Sequence, residues 1–249
     1  MPFISPELGY LTVINLFRTD TPYKQDRLVE EMRAIVDTAA FPGWVSSTVH
    51  RGLERLGTAN FIQWRGLEDL EARYAGDVFK HRTMPVFLEI MTSARLLQTE
   101  VEFSKRHPSL DYTEISPERD DYTVLEVIDV DPKEQNAAMA TIRSTHEWLI
   151  DQPGYRSTTL LRGMRARGPA GGTEGNLKLL GEDNSFVVVY SQWESKDAYD
   201  KYLGVPQDER LPVRRQAEAK LGSVTLAREW NTYRVVHTRS APKIPVAAD

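Results

Sequence analysis

The 249-residue sequence has no cysteine. That excludes disulfides, thiolate nucleophiles, iron–sulfur clusters and cysteine-based zinc sites. It also gives no reason to place the chain outside the cytoplasm, where we expect it. Charge of one sign is lacking too: 31 basic residues face 36 acidic ones, a net charge of -5, and no basic block is present. A nucleic-acid backbone is therefore not an expected partner. No apolar run approaches the roughly 20 residues of a membrane span. The opening MPFISPELGY has neither the basic nor the apolar region of a signal peptide. The five histidines show no metal-ligand spacing, and no glycine-rich nucleotide motif or G-x-S-x-G is present. We therefore expect no metal and no tightly held Rossmann-type nucleotide.

What the sequence does contain is written twice. LTVINLFRTDTP (11–22) returns as YTVLEVIDVDP (122–132), with Thr12 and Thr123 at an offset of 111, and FPGWVSSTVHRG (41–52) returns as QPGYRSTTLLRG (152–163), also at 111. ANFIQW (59–64) returns as VVYSQW (188–193), where the offset has grown to 129. The extra 18 residues fall in RARGPAGGTEGNLKLLGEDNS (165–185), whose glycine-rich, polar composition reads as a flexible surface loop. We place the first unit at 1–107, a proline- and charge-rich linker at 108–121, and the second, degenerate unit at 122–249, with its insertion at 165–183.

Each unit has one order of elements. A β-rich alternating run comes first. Thr21-Pro22 and Asp131-Pro132 then supply an N-cap followed by proline at the first helical position. Leu28, Met32, Ile35, Val36 and Ala39 lie on one face of the helix that follows. Pro42-Gly43 and Pro153-Gly154 turn the chain into two strands ending at Trp64 or Trp193, and helices and a last β-rich run close the unit. The pattern β-α-β-β-α-β is the ferredoxin-like split unit, of class α+β. One such unit leaves an apolar sheet face bare. Two in tandem bury those faces against each other, so we expect an intramolecular version of a dimeric α/β barrel.

A site is expected where one copy keeps polar groups that the other has lost. Strict alternation along residues 44–51 puts Trp44, Ser46, Thr48 and His50 on one face. On the next strand Asn60, Ile62 and Trp64 share a face. His50, Asn60 and Trp64 correspond to Leu161, Val189 and Trp193, which suggests a working pocket in copy one and a filled one in copy two. Blander readings stand beside this. His50 is then a satisfied core group, Asn60 satisfies backbone groups, and Trp64, kept in both copies, is structural. Asn15 and Trp44 are candidates for the same cavity. His81 and Arg82, in KHRTMP (80–85), are either an anion- or phenolate-binding pair or, the reading we favour, a solvated cluster. His146 reads as a core or interface residue, and His107 and His237 carry no signal.

The run TVIN…PGWVSSTVH…ANFIQW resembles the antibiotic biosynthesis monooxygenase family of dimeric α/β barrels. The resemblance implies a pocket between sheet and helices, with His50, Asn60 and Trp64 at the family's site positions and Arg82 as a loose match to a family arginine. With our own reading of the residues, His50, Asn60 and Trp64 are expected as catalytic and Asn15, Trp44, His81 and Arg82 as substrate- or flavin-binding. The family tyrosine six residues after the tryptophan is Leu70 here. Over nearly its whole length, with DLEARY, FKHRTMP, LLQTEVEF and EISPERDDYTV, the chain is similar to the ring-opening oxygenases of atypical angucycline pathways, of jadomycin, gilvocarcin, kinamycin and fluostatin type. That implies an aromatic polyketide substrate such as dehydrorabelomycin. It also implies O2, reduced flavin (FADH2 ahead of FMNH2) from a separate reductase, and oxidative cleavage of the B ring. His50 would be the general base. A cofactor-independent quinone-forming monooxygenase and a non-enzymatic barrel that carries a ligand are the competing readings. The tandem chain is expected as a monomer or a homodimer.

Overall fold

The computed structural model describes residues 2–172 and 175–242, apart from the side chain of His146. In the first unit β2 (Leu11–Arg18), α1 (Pro22–Thr38), β3 (Trp44–Gly52), β4 (Gly57–Trp64), α2 (Leu67–Ala75), α3 (Met84–Ile90) and β5 (Ser93–Arg106) follow a short β1 (Phe3–Ile4). A π-helical turn, Phe79–Thr83, lies between α2 and α3. After β6 (Thr113–Glu114), which pairs with β1, the second unit runs β7 (Tyr122–Val130), α4 (Gln135–Leu149), β8 (Tyr155–Pro169), β9 (Leu177–Leu179), β10 (Phe186–Trp193), α5 (Lys196–Leu203), α6 (Pro212–Val224) and β11 (Thr225–Ser240). No described helix is long and apolar enough to cross a membrane.

Eight strands, all antiparallel, close a barrel in the order β10-β7-β11-β3-β4-β2-β5-β8, with β8 pairing back onto β10. The two seams between units are β5 with β8 and β11 with β3. Each unit's last strand thus seals the other's edge, and closure leaves no strand of the ring unpaired. The two bare faces meet inside the ring as one core containing Ile14, Leu16, Phe61, Leu97, Val127, Leu161, Val188 and Tyr190. The helices cover the outside, over separate apolar clusters.

The repeated sequence features have local causes. Thr21 Oγ1 accepts from the Lys24 N–H and caps α1. Gly43 and Gly154 of the repeated Pro-Gly pairs adopt φ of 72° and 75°, the left-handed region where a side chain is strained. Ser46 donates to Gln63 Oε1, as Ser157 does to Gln192 Oε1. Gln25 Nε2 donates to the carbonyls of Gly52 and Gly57, and Gln135 to their counterparts Gly163 and Phe186.

The insertion differs from the expected free loop. β8 runs on to Pro169 and pairs with β9, so much of it is a hairpin. Met164 and Leu177 pack against the first unit's outer core, and Arg167 makes a bidentate pair with Glu71 of α2. The Gly175 N–H donates to the Lys80 carbonyl, at an approach so close that a Cβ at Gly175 would meet that oxygen at 2.8 Å.

The exchange of His50 for Leu161 is explained inside the barrel. His50 is 1% exposed. The Ala59 carbonyl, 3.2 Å from Nδ1, can only accept, so Nδ1 carries the hydrogen. Nε2 then accepts from the Tyr190 hydroxyl at 2.9 Å, across the two units. The pseudo-symmetric counterpart of His50–Tyr190 is Leu161–Phe61. A polar pair at one place is an apolar pair at the other, and the two rings Phe61 and Tyr190 touch edge to face at 5.6 Å.

Burial pushes the His50 imidazole down to about 4, against the opposing effect of the Ala59 carbonyl. It is therefore neutral in the folded protein, while its unfolded counterpart titrates near 6.5. Between those values the unfolded chain binds the extra proton. Stability is then fully present above about 6.5 and falls as pH drops towards 4, by up to about 3 kcal/mol. Denaturant melts across this window check the slope, which the double variant His50→Leu/Tyr190→Phe should lack. Each single variant strands a buried polar group and should cost about 1–3 kcal/mol. The double variant should recover much of that loss; strictly additive costs would show that the pair is not coupled.

Candidate functional site

The first unit holds a cleft between the outer face of its sheet and α1, α2 and α3. Its floor includes Val13, Asn15, Asn60, Ile62 and Trp64, and its roof Met32, Leu70, Tyr74 and Phe87. The free space is narrow, about 680 Å³ with its mouth included. Asn15 and Asn60 face each other across the β2–β4 ladder, and Trp44 faces Trp64 across β3–β4. Four of the expected residues, Asn15, Trp44, Asn60 and Trp64, thus line one cavity.

His50 does not belong to this cavity, and the expectation that it shares a face with Trp44 is corrected. The cause is a β-bulge: Trp44 opposes Trp64, but Ser46 opposes Gln63, leaving Val45 as an extra residue. A one-residue slip sends each later side chain to the other face. Trp44, Ser47 and Val49 therefore look outward, and Ser46, Thr48 and His50 look into the barrel. His50 thus does not line the cleft, and burial holds its imidazole at a pKa of about 4.

His81 and Arg82 lie on the π-helical turn, exposed and away from the cleft. His81 Nε2 is 4.0 Å from Asp77, itself exposed. Both fit the solvated-cluster reading. Arg73 occupies the place that reading the sequence gave to Arg82. Its guanidinium lies 4.2 Å from the centroid of the Phe41 ring and 5.3 Å from that of Phe79. Phe41 in turn stacks on Trp64 at 6.4 Å. Arg73 donates to Thr83 Oγ1 at 3.2 Å, and among the described residues it forms no ion pair. Among the described residues it is the one charged side chain on the cleft wall. Burial lowers its pKa, so its positive charge is poorly solvated and favours a nearby anion.

Tyr74 was also missed. Leu70 replaces the expected tyrosine, but Tyr74 follows one helical turn later and brings a phenol into the same cavity. Burial pushes that phenol well above its ordinary range, so it is a neutral donor. The signal was present in RGLEDLEARY: Leu70, Arg73 and Tyr74 have the i, i+3, i+4 spacing of one helix face.

The polar inventory of the cleft is unusual in one respect. Asn15 Oδ1, Asn60 Oδ1, Trp64 Nε1 and Tyr74 Oη are buried and have no hydrogen-bond partner. Each such group costs about 1–3 kcal/mol when left unpaired. The Trp44 indole, by contrast, is satisfied by Ser47 Oγ at 2.8 Å. Two acceptors, two donors and one unpaired cation converge on an otherwise apolar slot. That set matches the edge of a flat molecule with carbonyl and hydroxyl substituents.

The second unit has a cleft in the corresponding place, between its sheet and α4, α5 and α6, and it is not filled. Its open space, mouth included, is about 1540 Å³. Glu126, Val189, Tyr199 and Tyr202 stand where the first cleft has Asn15, Asn60, Leu70 and Arg73.

No protein-family model matches the chain, and no curated protein matches it by sequence. Among solved structures, a putative monooxygenase from Lactobacillus acidophilus NCFM matches 93% of this chain and 96% of its own, at 10% identity and a TM-score of 0.52. A major regulator of staphylococcal pathogenesis matches 91% and 99%, at 10% identity and a TM-score of 0.51. At that distance they share the fold alone. An anthrone oxidase-like protein is 46% identical, covering 99% of this chain and 100% of its own, with a TM-score of 0.88. Identity of that order over both full lengths is the distance between members of one family, and the chain belongs to the family of anthrone oxidase-like proteins.

Proposed function

We propose that the chain is an oxygenase of a flat, phenolic polycyclic substrate, an aromatic polyketide, bound in the cleft of the first unit. The observation that carries this reading is the set of four buried, unpaired polar atoms facing one apolar slot beside an unpaired guanidinium. The full-length relative is anthrone oxidase-like by description, and an anthrone is a flat tricyclic ketone of this chemical kind.

The chain's own residues would act on the substrate as follows. Phe41 and Trp64 stack on its faces. Asn15 and Asn60 accept from its hydroxyls, while the Trp64 indole and the Tyr74 phenol donate to its carbonyls. Among the described residues no histidine or carboxylate lines the cleft. The phenolate that O2 chemistry needs therefore comes from the substrate's own acidity, raised by the positive charge of Arg73. The dry wall strengthens that attraction and keeps water from the activated oxygen.

In the fuller form of the proposal, the reaction is oxidative cleavage of the B ring of a dehydrorabelomycin-like angucycline, with reduced flavin supplying two electrons for O2. Among the described residues the cleft wall carries one cation, Arg73, and its space suits one ring system. Reduced flavin thus fits as a diffusible co-substrate from a separate reductase, not as a resident group. The same two features favour a second reading, in which the substrate anion reacts with O2 unaided and a quinone forms.

Oxygen uptake with dehydrorabelomycin, with and without chemically reduced FAD or FMN, separates the two. A ring-opened product only with flavin supports the cleavage reading, and uptake without flavin supports the quinone-forming one. No protein-dependent uptake in any tube would sink both for this substrate. Arg73→Met should lower kcat/KM roughly 10- to 100-fold, the loss of a charge-assisted contact. The same variant should move the alkaline-going limb of the pH–rate profile upward, because the bound phenol loses its stabilising charge. His50→Leu/Tyr190→Phe should keep turnover within about threefold of wild type, the effect of a group that never touches substrate. A collapse of activity in a folded double variant would return His50 to the site.

A further inference from the structure

The second cleft does not repeat the chemistry of the first. Its free space is more than twice as large. Its floor and wall are aromatic: Trp193 stacks on Tyr202 with centroids 5.1 Å apart and meets Tyr199 at 5.5 Å. Trp148 of α4 faces the same space. The two carboxamides of the first cleft, Asn15 and Asn60, are replaced by Glu126 and Val189.

The charges are arranged differently too. Glu218 takes both Arg210 and Arg214, at 2.9 and 2.8 Å, and Glu126 pairs with Arg228. Three guanidiniums thus meet two carboxylates, and the cleft carries one uncompensated positive charge. Arg214 is 5% exposed and lies 4.1 Å over the Tyr202 ring, so a cation is held in place on an aromatic shelf. Burial holds the phenols of Tyr199 and Tyr202 above their ordinary range, and they remain neutral donors. A wall of rings, neutral phenol donors and a surplus guanidinium selects a planar molecule with an acidic substituent.

We propose that the cleft of the second unit is a ligand site in its own right, for a flat aromatic that carries a negative charge. It takes a ligand independently of the first cleft, because the closed barrel core lies between them. The proposal does not rest on the reading of the first cleft as the oxygenase site.

Equilibrium dialysis of the full chain tests it, with rhein, a hydroxyanthraquinone carboxylate, and chrysophanol, its uncharged methyl analogue, as probes. Val189→Trp fills the second cleft from the sheet, and Thr145→Trp fills it from the helix if the first variant unfolds by circular dichroism. Asn60→Trp fills the first cleft. Two equivalents of rhein on wild type, falling to one in each filled variant, is the expected result. One equivalent, lost only when the second cleft is filled, also supports the second site while removing the first. Rhein binding that is untouched by filling the second cleft overturns the proposal. So does chrysophanol binding as tightly as rhein in Asn60→Trp, since the surplus charge should favour rhein about tenfold or more.

Discussion

Everything in this molecule depends on how two sheets close each other. A four-stranded sheet with helices on one face has two open edges and one bare apolar face. The seams β5–β8 and β11–β3 remove all of these at once. They also explain why β5 and β11, at 14 and 16 residues, are among the longest strands: each must pair first with its own unit and then with the other. The interior that results is filled by packed side chains. Open clefts lie outside it, one between each sheet and its helices.

Which side chains reach those spaces is decided by one residue. Without the bulge at Val45, strict alternation would carry Trp44 and His50 to the same face. With it, Trp44 joins Trp64 and Asn60 outside, and His50 joins Tyr190 inside. The second unit repeats the irregularity, with Trp193 opposite Tyr155 and Gln192 opposite Ser157. The bulge therefore belongs to the architecture of the unit, as does the Pro-Gly turn before it.

The fold was legible because the chain states it twice. Shared offsets fixed the element order, and the element order fixed the barrel. Asn15, Asn60, Trp44 and Trp64 line one cavity as expected, because they lie at or before the bulge or on strands without one. His50 was misplaced because period two cannot reveal a bulge. Arg73 and Tyr74 were missed because the comparison of copies looks for polar groups on strands, and these lie on a helix that reads as amphipathic in both copies. The Gln25 and Gln135 clamps escaped notice because the second copy is one residue shorter between its first strand and its Asp131-Pro132 pair, which sets them 110 residues apart instead of the common 111. The insertion read as free loop from its glycines, yet its strand continuation and the Arg167–Glu71 pair tie it to the first unit.

The duplication also explains a difference in how the two halves have diverged. Inside the barrel, His50 and Tyr190 stand against Leu161 and Phe61, and the two pairs touch through Phe61 and Tyr190. A polar atom introduced on one side would be stranded unless its partner changed as well, so differences there come as matched sets. In the clefts no such coupling exists, because a packed core separates them. Asn15 and Glu126, Asn60 and Val189, Leu70 and Tyr199, and Arg73 and Tyr202 differ freely, each pair altering the charge or hydrogen bonding of one cleft alone. A homodimer of single units would write every such change into both clefts. Joining the units in one chain removes that constraint, and the two clefts of this protein have used the freedom to become chemically unlike.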